Sequence, residues 1–398
     1  MPKDHTERQD PARQKPIDIG KSRNSSHGKL MGIGKTDPIP EQEWLTARSR
    51  LLEWYRENRR DLPWRRSTDP YAIWVSEIML QQTRVAVVVE RYKIFMARFP
   101  TLVSLAQASE DEVLALWSGL GYYRRARMLH KAARFVVDRC NGTLPVTSAE
   151  LRTLPGIGAY TAAAIASIAH GEAVAVVDGN VERVLCRLQG WEFGSRNTEA
   201  EMKHKVEHLA AQLVDPARPG DFNQALMELG ATVCLPRNPQ CLVCPLAADC
   251  KTKGEHKTAP RLQMLSREVA HALAIRTGLH AGQGSREVLL EQRPVSNTVM
   301  PGMWELPALE DTAVPEKELR MTVRHAIMQV NYYVRIRTVF EDDVESMTVR
   351  QGVRRWIPLH EAEGMALTGL ARKVLTRAHL LAGTPRDAIT PFTSEDVF

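Results

Sequence analysis

The chain has 398 residues, more than one hydrophobic core ordinarily organises, so two or three domains are expected. Its 43% hydrophobic and 25% charged residues exclude collagen-like, low-complexity and wholly disordered classes. A net charge of +6 and a pI near 9.0 favour a polyanionic partner wherever the basic residues gather.

In chain order, residues 1–40 mix Lys, Ser, Gly, Pro and Asp without periodicity and read as a disordered basic tail. They lack the apolar run of a secretory signal. The longest apolar stretch, Thr161 to Val177, is broken by His170, Gly171 and Glu172, too short to span a bilayer. A cytoplasmic protein without a membrane segment, acting as a monomer, is expected. Residues 41–233 carry one helical pattern after another, about ten short helices in an all-α domain. Ser109 with Glu112, and Thr147 with Glu150, match the capping box that satisfies the free amides of a first helical turn. Gly121–Cys140 holds six Lys and Arg against one Asp. Arg124, Arg127, Lys131 and Arg134 recur there three or four apart and share a helix face, which is either a solvated stripe or a path for a phosphate backbone. Residues 251–267 are polar and read as a linker. Beyond it the period changes to two: Val269, His271, Leu273 and Ile275 in one run, and Tyr332, Val334, Ile336 and Thr338 in another. A last helix is expected over Ala371–Leu381, so residues 268–390 form a separate α+β domain.

Several constellations carry chemistry. In Cys234-x6-Cys241-x2-Cys244-x5-Cys250, four thiols crowd one loop, residues 234–250. A single close pair flanked by two lone cysteines departs from the paired knuckles of structural zinc, and favours a 4Fe-4S cluster over zinc. Leu154-Pro155-Gly156-Ile157-Gly158 lies between a capped turn and an Ala-rich helix. Gly156 and Gly158 let the backbone turn and aim amides at an anion; the plain alternative is a helix–turn–helix connection. Glu77 follows Trp74 by three residues and Ile73 by four, on the apolar side of a helix expected over Tyr71–Thr83. Burial there raises a carboxyl pKa and suits a general acid, although a lone buried Glu also serves as a partner for Arg. Asp178 ends the apolar run Val174–Val177 and is placed to cap the next helix; a carboxylate held by amides also suits a developing cation. Gln81 and Gln82, one turn beyond Glu77, are candidates to fill the gap left by an everted base, and Tyr122 or Tyr123 to wedge into a base stack.

Taken together, Leu62-Pro63-Trp64-Arg65, Ser76-Glu77-Ile78-Met79-Leu80-Gln81-Gln82-Thr83, Gly119-Leu120-Gly121-Tyr122-Tyr123, Leu154–Gly158, Val177-Asp178-Gly179-Asn180-Val181 and the four cysteines resemble the helix-hairpin-helix DNA glycosylase superfamily, within it the adenine-excising MutY family. The resemblance spans about Gln42 to Leu381. It implies double-stranded DNA containing adenine opposite 8-oxoguanine or guanine as partner, one 4Fe-4S cluster on Cys234, Cys241, Cys244 and Cys250, and a flipped adenine protonated at N7 by Glu77 while Asp178 stabilises the sugar cation. Arg65, Tyr160 and Asn180 match family positions that line the adenine pocket, with Trp64 beside them, and Gln82, Tyr122, Gly156 and Gly158 are the expected DNA contacts. Endonuclease III-like relatives carry a Lys where Tyr160 stands, so the resemblance implies hydrolysis without strand cleavage. It also implies a Nudix-like recognition domain at 268–390, without the clustered glutamates of a Nudix box after Gly302. Where the family commonly has Phe-Ser-His, this sequence has Ile327-Met328-Gln329, leaving Gln329 as the contact to the oxidised guanine.

Overall fold

The computed structural model describes residues 41–192, 198–256, 263–278, 286–347 and 353–382. The expected tail 1–40, part of the expected linker (257–262) and positions 383–390 lie outside the described residues.

Eleven α-helices precede the cysteine loop among the described residues: α1 (Glu41–Asn58), α2 (Pro70–Leu80), α3 (Val85–Arg98), α4 (Leu102–Gln107), α5 (Glu110–Leu116), α6 (Arg124–Arg139), α7 (Ser148–Leu151), α8 (Ala159–His170), α9 (Gly179–Gln189), α10 (Glu199–Leu213) and α11 (Pro219–Thr232). Thr147 forms the full expected capping box with Glu150. Ser109 caps α5 from one side only: its hydroxyl accepts from the Glu112 amide and the reciprocal bond is missing. Full boxes also form at Thr101–Ser104 and Thr198–Glu201.

The helices bury two separate apolar cores. The first gathers α2, α3, α5, α6 and α8 around Trp74, Phe95 and Trp117. The second gathers α9, α10 and α11 with α1, which crosses over from the start of the chain to join them through Leu51 and Tyr55. A cleft is therefore built where the two halves meet, lined by α2 from Ile73 to Leu80 and by the first residues of α9. Helix α2 stops at Leu80, not Thr83 as the sequence suggested, because Gln81 is extended (ψ 113°) and Gln82 is left-handed at φ 55°. Arg125 makes this stop possible. Its Nη1 donates to the carbonyls of Ile78 (2.6 Å), Met79 (3.1 Å) and Gln81 (2.5 Å), which the ended helix would otherwise leave unpaired.

The C-terminal part is a mixed sheet with two further helices: β1 (Leu265–Thr277), β2 (Arg286–Gln292), β3 (Trp304–Glu305), β4 (Ala308–Leu309), β5 (Leu319–Ile327), β6 (Val330–Val339), β7 (Val353–Pro358), α12 (Leu359–Ala362) and α13 (Gly369–Arg377). Its spatial order is β3-β2-β1-β6-β5, with β4 on β1 and β7 on β2; β1 and β6 run parallel and the other pairs antiparallel. The expected alternation in β1 fails, since Ala270 to Ala274 are all buried. The sheet is covered on both faces: Leu273 enters the larger core, while Ala272 and Ala274 pack against Leu289 and Val339 on the other side. In β6, Val334 and Ile336 point inward as expected, but Thr338 is exposed and Val339 is buried in the second cluster. Strand β1 begins at Leu265, inside the expected linker, and the last helix ends at Arg377, before the expected Leu381. Met303 and Ala366 of this part join the first helical core. Arg127 Nη2 donates to the Pro301 carbonyl (2.6 Å), and the Tyr123 hydroxyl to that of Leu367 (3.4 Å). Among the described residues no helix is long and apolar enough to cross a membrane.

Candidate active site

Helix α2 starts on Asp69, whose carboxylate accepts from the Tyr71 amide (3.1 Å), with Pro70 pre-set in the first turn. Tyr71 to Met79 are all buried, so Glu77 is carried into the interior by its neighbours and is 5% exposed at the floor of the cleft. Its Oε2 accepts the Tyr160 hydroxyl at 2.7 Å from the start of α8. Burial pushes its pKa up to about 7; the Tyr160 bond opposes this, Asp178 adds to it and Arg65 opposes it. About half of such a group carries a proton at neutral pH, against well under a hundredth for an ordinary Glu.

Asp178 is the N-cap of α9. Oδ1 accepts from the amides of Asn180 (2.9 Å) and Val181 (2.8 Å), and Oδ2 from the Asn180 side chain (3.0 Å). Three N–H donors on two oxygens suit a charged acceptor. Asn180 is held in turn: Arg183 Nη2 donates to its Oδ1 (2.9 Å) and to the Gly230 carbonyl (2.7 Å), while Arg183 Nε donates to the Cys234 carbonyl (2.9 Å). A Cβ on Gly230 would stand 2.6 Å from that of Asn180, so only glycine permits this approach of α9 and α11. The cysteine loop is thus linked to Asp178 by a continuous chain of hydrogen bonds.

Glu77 and Asp178 line one cleft of about 560 Å³, together with Trp64, Arg65, Gln82, Tyr160 and Asn180. Trp64 is held edge-on to Tyr92 at 5.4 Å, and the Arg65 guanidinium lies 5.5 Å from the Tyr55 ring centre. A second cleft of about 440 Å³ adjoins the first, sharing Gln81 and Gln82 and lined also by Tyr122, Arg124 and Gly156. Tyr122 is 53% exposed at φ 48°, whereas Tyr123 is 5% exposed and belongs to the core, which removes it as a wedge. Gly156 has φ 76°, and a Cβ there would meet that of Met128 at 2.7 Å. Gly158 has ordinary extended backbone; it is the exposed N-cap of α8 and supplies no side-chain cap. Of the basic stripe, Arg124, Lys131 and Arg134 are exposed, but Arg127 is engaged by Glu110 (2.7 Å) and Pro301. Gln329 lies away from both clefts, exposed in the two-residue turn Met328-Gln329 between β5 and β6, with Met328 at φ 54°.

The four predicted thiols surround one small cavity of about 30 Å³ with Arg187 on its wall. Arg187 is 2% exposed and donates to Cys234 Sγ (3.4 Å) and the carbonyls of Leu235 (2.6 Å) and Pro236 (2.9 Å), a buried cation facing sulfur. Among the described residues no three His, Cys, Asp or Glu side chains converge closely enough to share one ion. Four thiols around one space, with a buried cation on its wall, are a donor set that suits a thiolate-bound metal centre. Sequence reasoning missed Arg125, Arg183 and Glu228; the last was legible only as an acid inside an apolar helix, Met227-Glu228-Leu229.

Residues 75–212 match the HhH-GPD superfamily of base excision DNA repair proteins. The chain is 52% identical to the adenine DNA glycosylase of Homo sapiens over 220 residues, covering 53% of this chain and 40% of that protein. It is 40% identical to the adenine DNA glycosylase of Arabidopsis thaliana over 312 residues, covering 69% and 49%. A solved thermostable thymine-DNA glycosylase is 31% identical, with a TM-score of 0.48, covering 53% of this chain and 97% of that one. The chain spans about half the length, or less, of these curated relatives.

Proposed function

We propose that this chain, a member of the HhH-GPD superfamily of base excision DNA repair proteins, is a monofunctional adenine DNA glycosylase that acts on adenine opposite 8-oxoguanine or guanine in double-stranded DNA. The observation that carries the reading is the pairing in one cleft of a buried Glu77, pushed to about pH 7, with Asp178, whose oxygens accept three N–H bonds. In the proposed reaction the adenine leaves the stack and enters the cleft against Trp64 and Arg65. Glu77 donates its proton to N7, and the electrons of the C1′–N9 bond pass to the base as that bond breaks. The cation left on the sugar is stabilised by Asp178, and water adds at C1′, its released proton returning to the Glu77 carboxylate, to leave an abasic strand. Tyr160 keeps Glu77 oriented, and Asn180 does the same for Asp178. Gln82 and Tyr122 hold the duplex open, and the amides after Gly156 and Gly158 take a phosphate.

Cys234, Cys241, Cys244 and Cys250 would hold a 4Fe-4S cluster, which supplies a rigid anchor for the loop that Arg187 and Arg183 contact. Residues 268–390 act as a Nudix-like recognition domain, with Gln329 meeting the oxidised guanine. The reading is tested on duplexes carrying adenine opposite 8-oxoguanine and opposite guanine, by chromatography of the released base and by borohydride treatment. Free adenine without protein trapped on DNA is expected. No released base, or abundant trapping, would overturn it.

A further inference from the structure

Helix α11 contributes an acid that this chemistry does not use. The side chain of Glu228 is fully buried, yet it sits on the cleft wall between two arginines. Arg60 donates to it three times, from its backbone amide (3.0 Å) and Nε (2.8 Å) to Oε1 and from Nη2 (2.8 Å) to Oε2. Arg65 Nη2 shares Oε2 at 2.8 Å, and Arg65 Nη1 reaches back to the Arg60 carbonyl at 3.2 Å. One carboxylate thus serves two guanidinium groups and leaves a net single positive charge on that wall. The other charged or titratable groups of the cleft are Glu77 on α2, Tyr160 on α8 and Asp178 before α9.

A plain buried ion pair would need one arginine; here the acid fixes two, both lining the space where the base would stand. We infer that Glu228 is a positioning residue for the glycosidic reaction: it holds Arg60 and Arg65 in the pocket wall and offsets the positive charge that Arg65 brings to bear on Glu77. The proposal rests on the adenine glycosylase reading for its role, but its electrostatic content is separate. Without Glu228, an uncompensated Arg65, the cation whose charge already opposes the rise of the Glu77 pKa, would favour the Glu77 carboxylate and draw off the proton that the reaction consumes. The bonds from Arg60 and Arg65 hold the Glu228 carboxyl down at about 2 against the burial that would raise it, so it stays charged throughout the working range.

The test uses the full chain. In Glu228→Gln, which keeps the shape and one acceptor oxygen, the alkaline limb of single-turnover base release should move down by about one pH unit. At pH 8 the rate then falls about tenfold relative to wild type, while at pH 5 it changes little. Arg65→Gln removes the cation that acts on Glu77 and should move the limb upward. It serves as the second arm if Glu228→Gln does not fold. Carbon-13 NMR titration of the Glu77 carboxyl, assigned by its disappearance in Glu77→Gln, should show the same opposite shifts in protein without DNA. That measurement stands even if wild type releases no adenine, in which case the glycosylase reading fails and the electrostatic claim is still decided. A limb and a titration unmoved in a folded Glu228→Gln, or moved the same way in both variants, would overturn the proposal.

Discussion

Replacing Glu77 by Gln removes the proposed proton donor while keeping its volume and an acceptor for the Tyr160 hydroxyl at the position of Oε2. The carboxyl is raised from 4.5 to about 7 chiefly by burial, so folding takes up a proton between those values. The sign follows from linkage. This acid binds its proton more tightly in the folded state, so its contribution is fully favourable below about pH 4.5 and is lost as pH rises through about 7. A shift of that size corresponds to roughly 3 kcal/mol, an upper figure for a site that borders a solvent-filled cleft. Urea unfolding at pH 5 and pH 8 should therefore show wild type losing stability with pH by about 2–3 kcal/mol more than Glu77→Gln, which has nothing to titrate there. In the same variant base release should fall by at least about a hundredfold, the usual worth of a positioned general acid, with duplex binding retained. A stability difference that does not change between the two pH values would refute the buried-acid argument. Release at the wild-type rate would refute the catalytic one.

Three further outcomes follow from the same geometry. Arg183→Gln breaks the chain from Cys234 to Asn180 and Asp178, and should slow single-turnover release by about tenfold or more while circular dichroism keeps its helical signal; an unchanged rate would leave the relay without function. Gly156→Ala forces φ 76° on an L-residue and a clash with Met128, and should cost about 1–3 kcal/mol in urea unfolding and weaken duplex binding in a filter assay; a variant equal to wild type in both would remove the hairpin from the account. Cys244→Ser should abolish the visible absorption of an iron–sulfur cluster in purified protein and lower the melting temperature; a colourless wild type with four bound zinc-type thiolates would contradict the cluster.

Much of the site could be read along the chain because its chemistry is local. Glu77 declares itself as a carboxylate among Ile73, Trp74 and Ile78, and Asp178 by ending an apolar run before a helix. What could not be read depends on partners far apart in sequence. Glu228 acquires meaning only from Arg60 and Arg65, 168 and 163 positions away, and Arg125 from carbonyls at the end of α2, more than forty positions earlier. Tyr122 and Tyr123 are indistinguishable by residue type, and the packing of the sheet against the first helical core decides which is exposed. In β1 the alternation expected of a half-buried strand was misplaced, because the alanines between its larger residues are covered by a second layer that no local pattern announces.

In the proposed reaction two carboxylates divide the labour, one giving a proton and the other facing a cation. The most direct measurement is single-turnover release of adenine from one duplex by wild type, Glu77→Gln, Asp178→Asn and the double variant. Both single changes should cost at least about a hundredfold, and the double variant should be far less impaired than the product of the two, as for residues acting as a unit. Either single variant working within a few-fold of wild type would contradict the account.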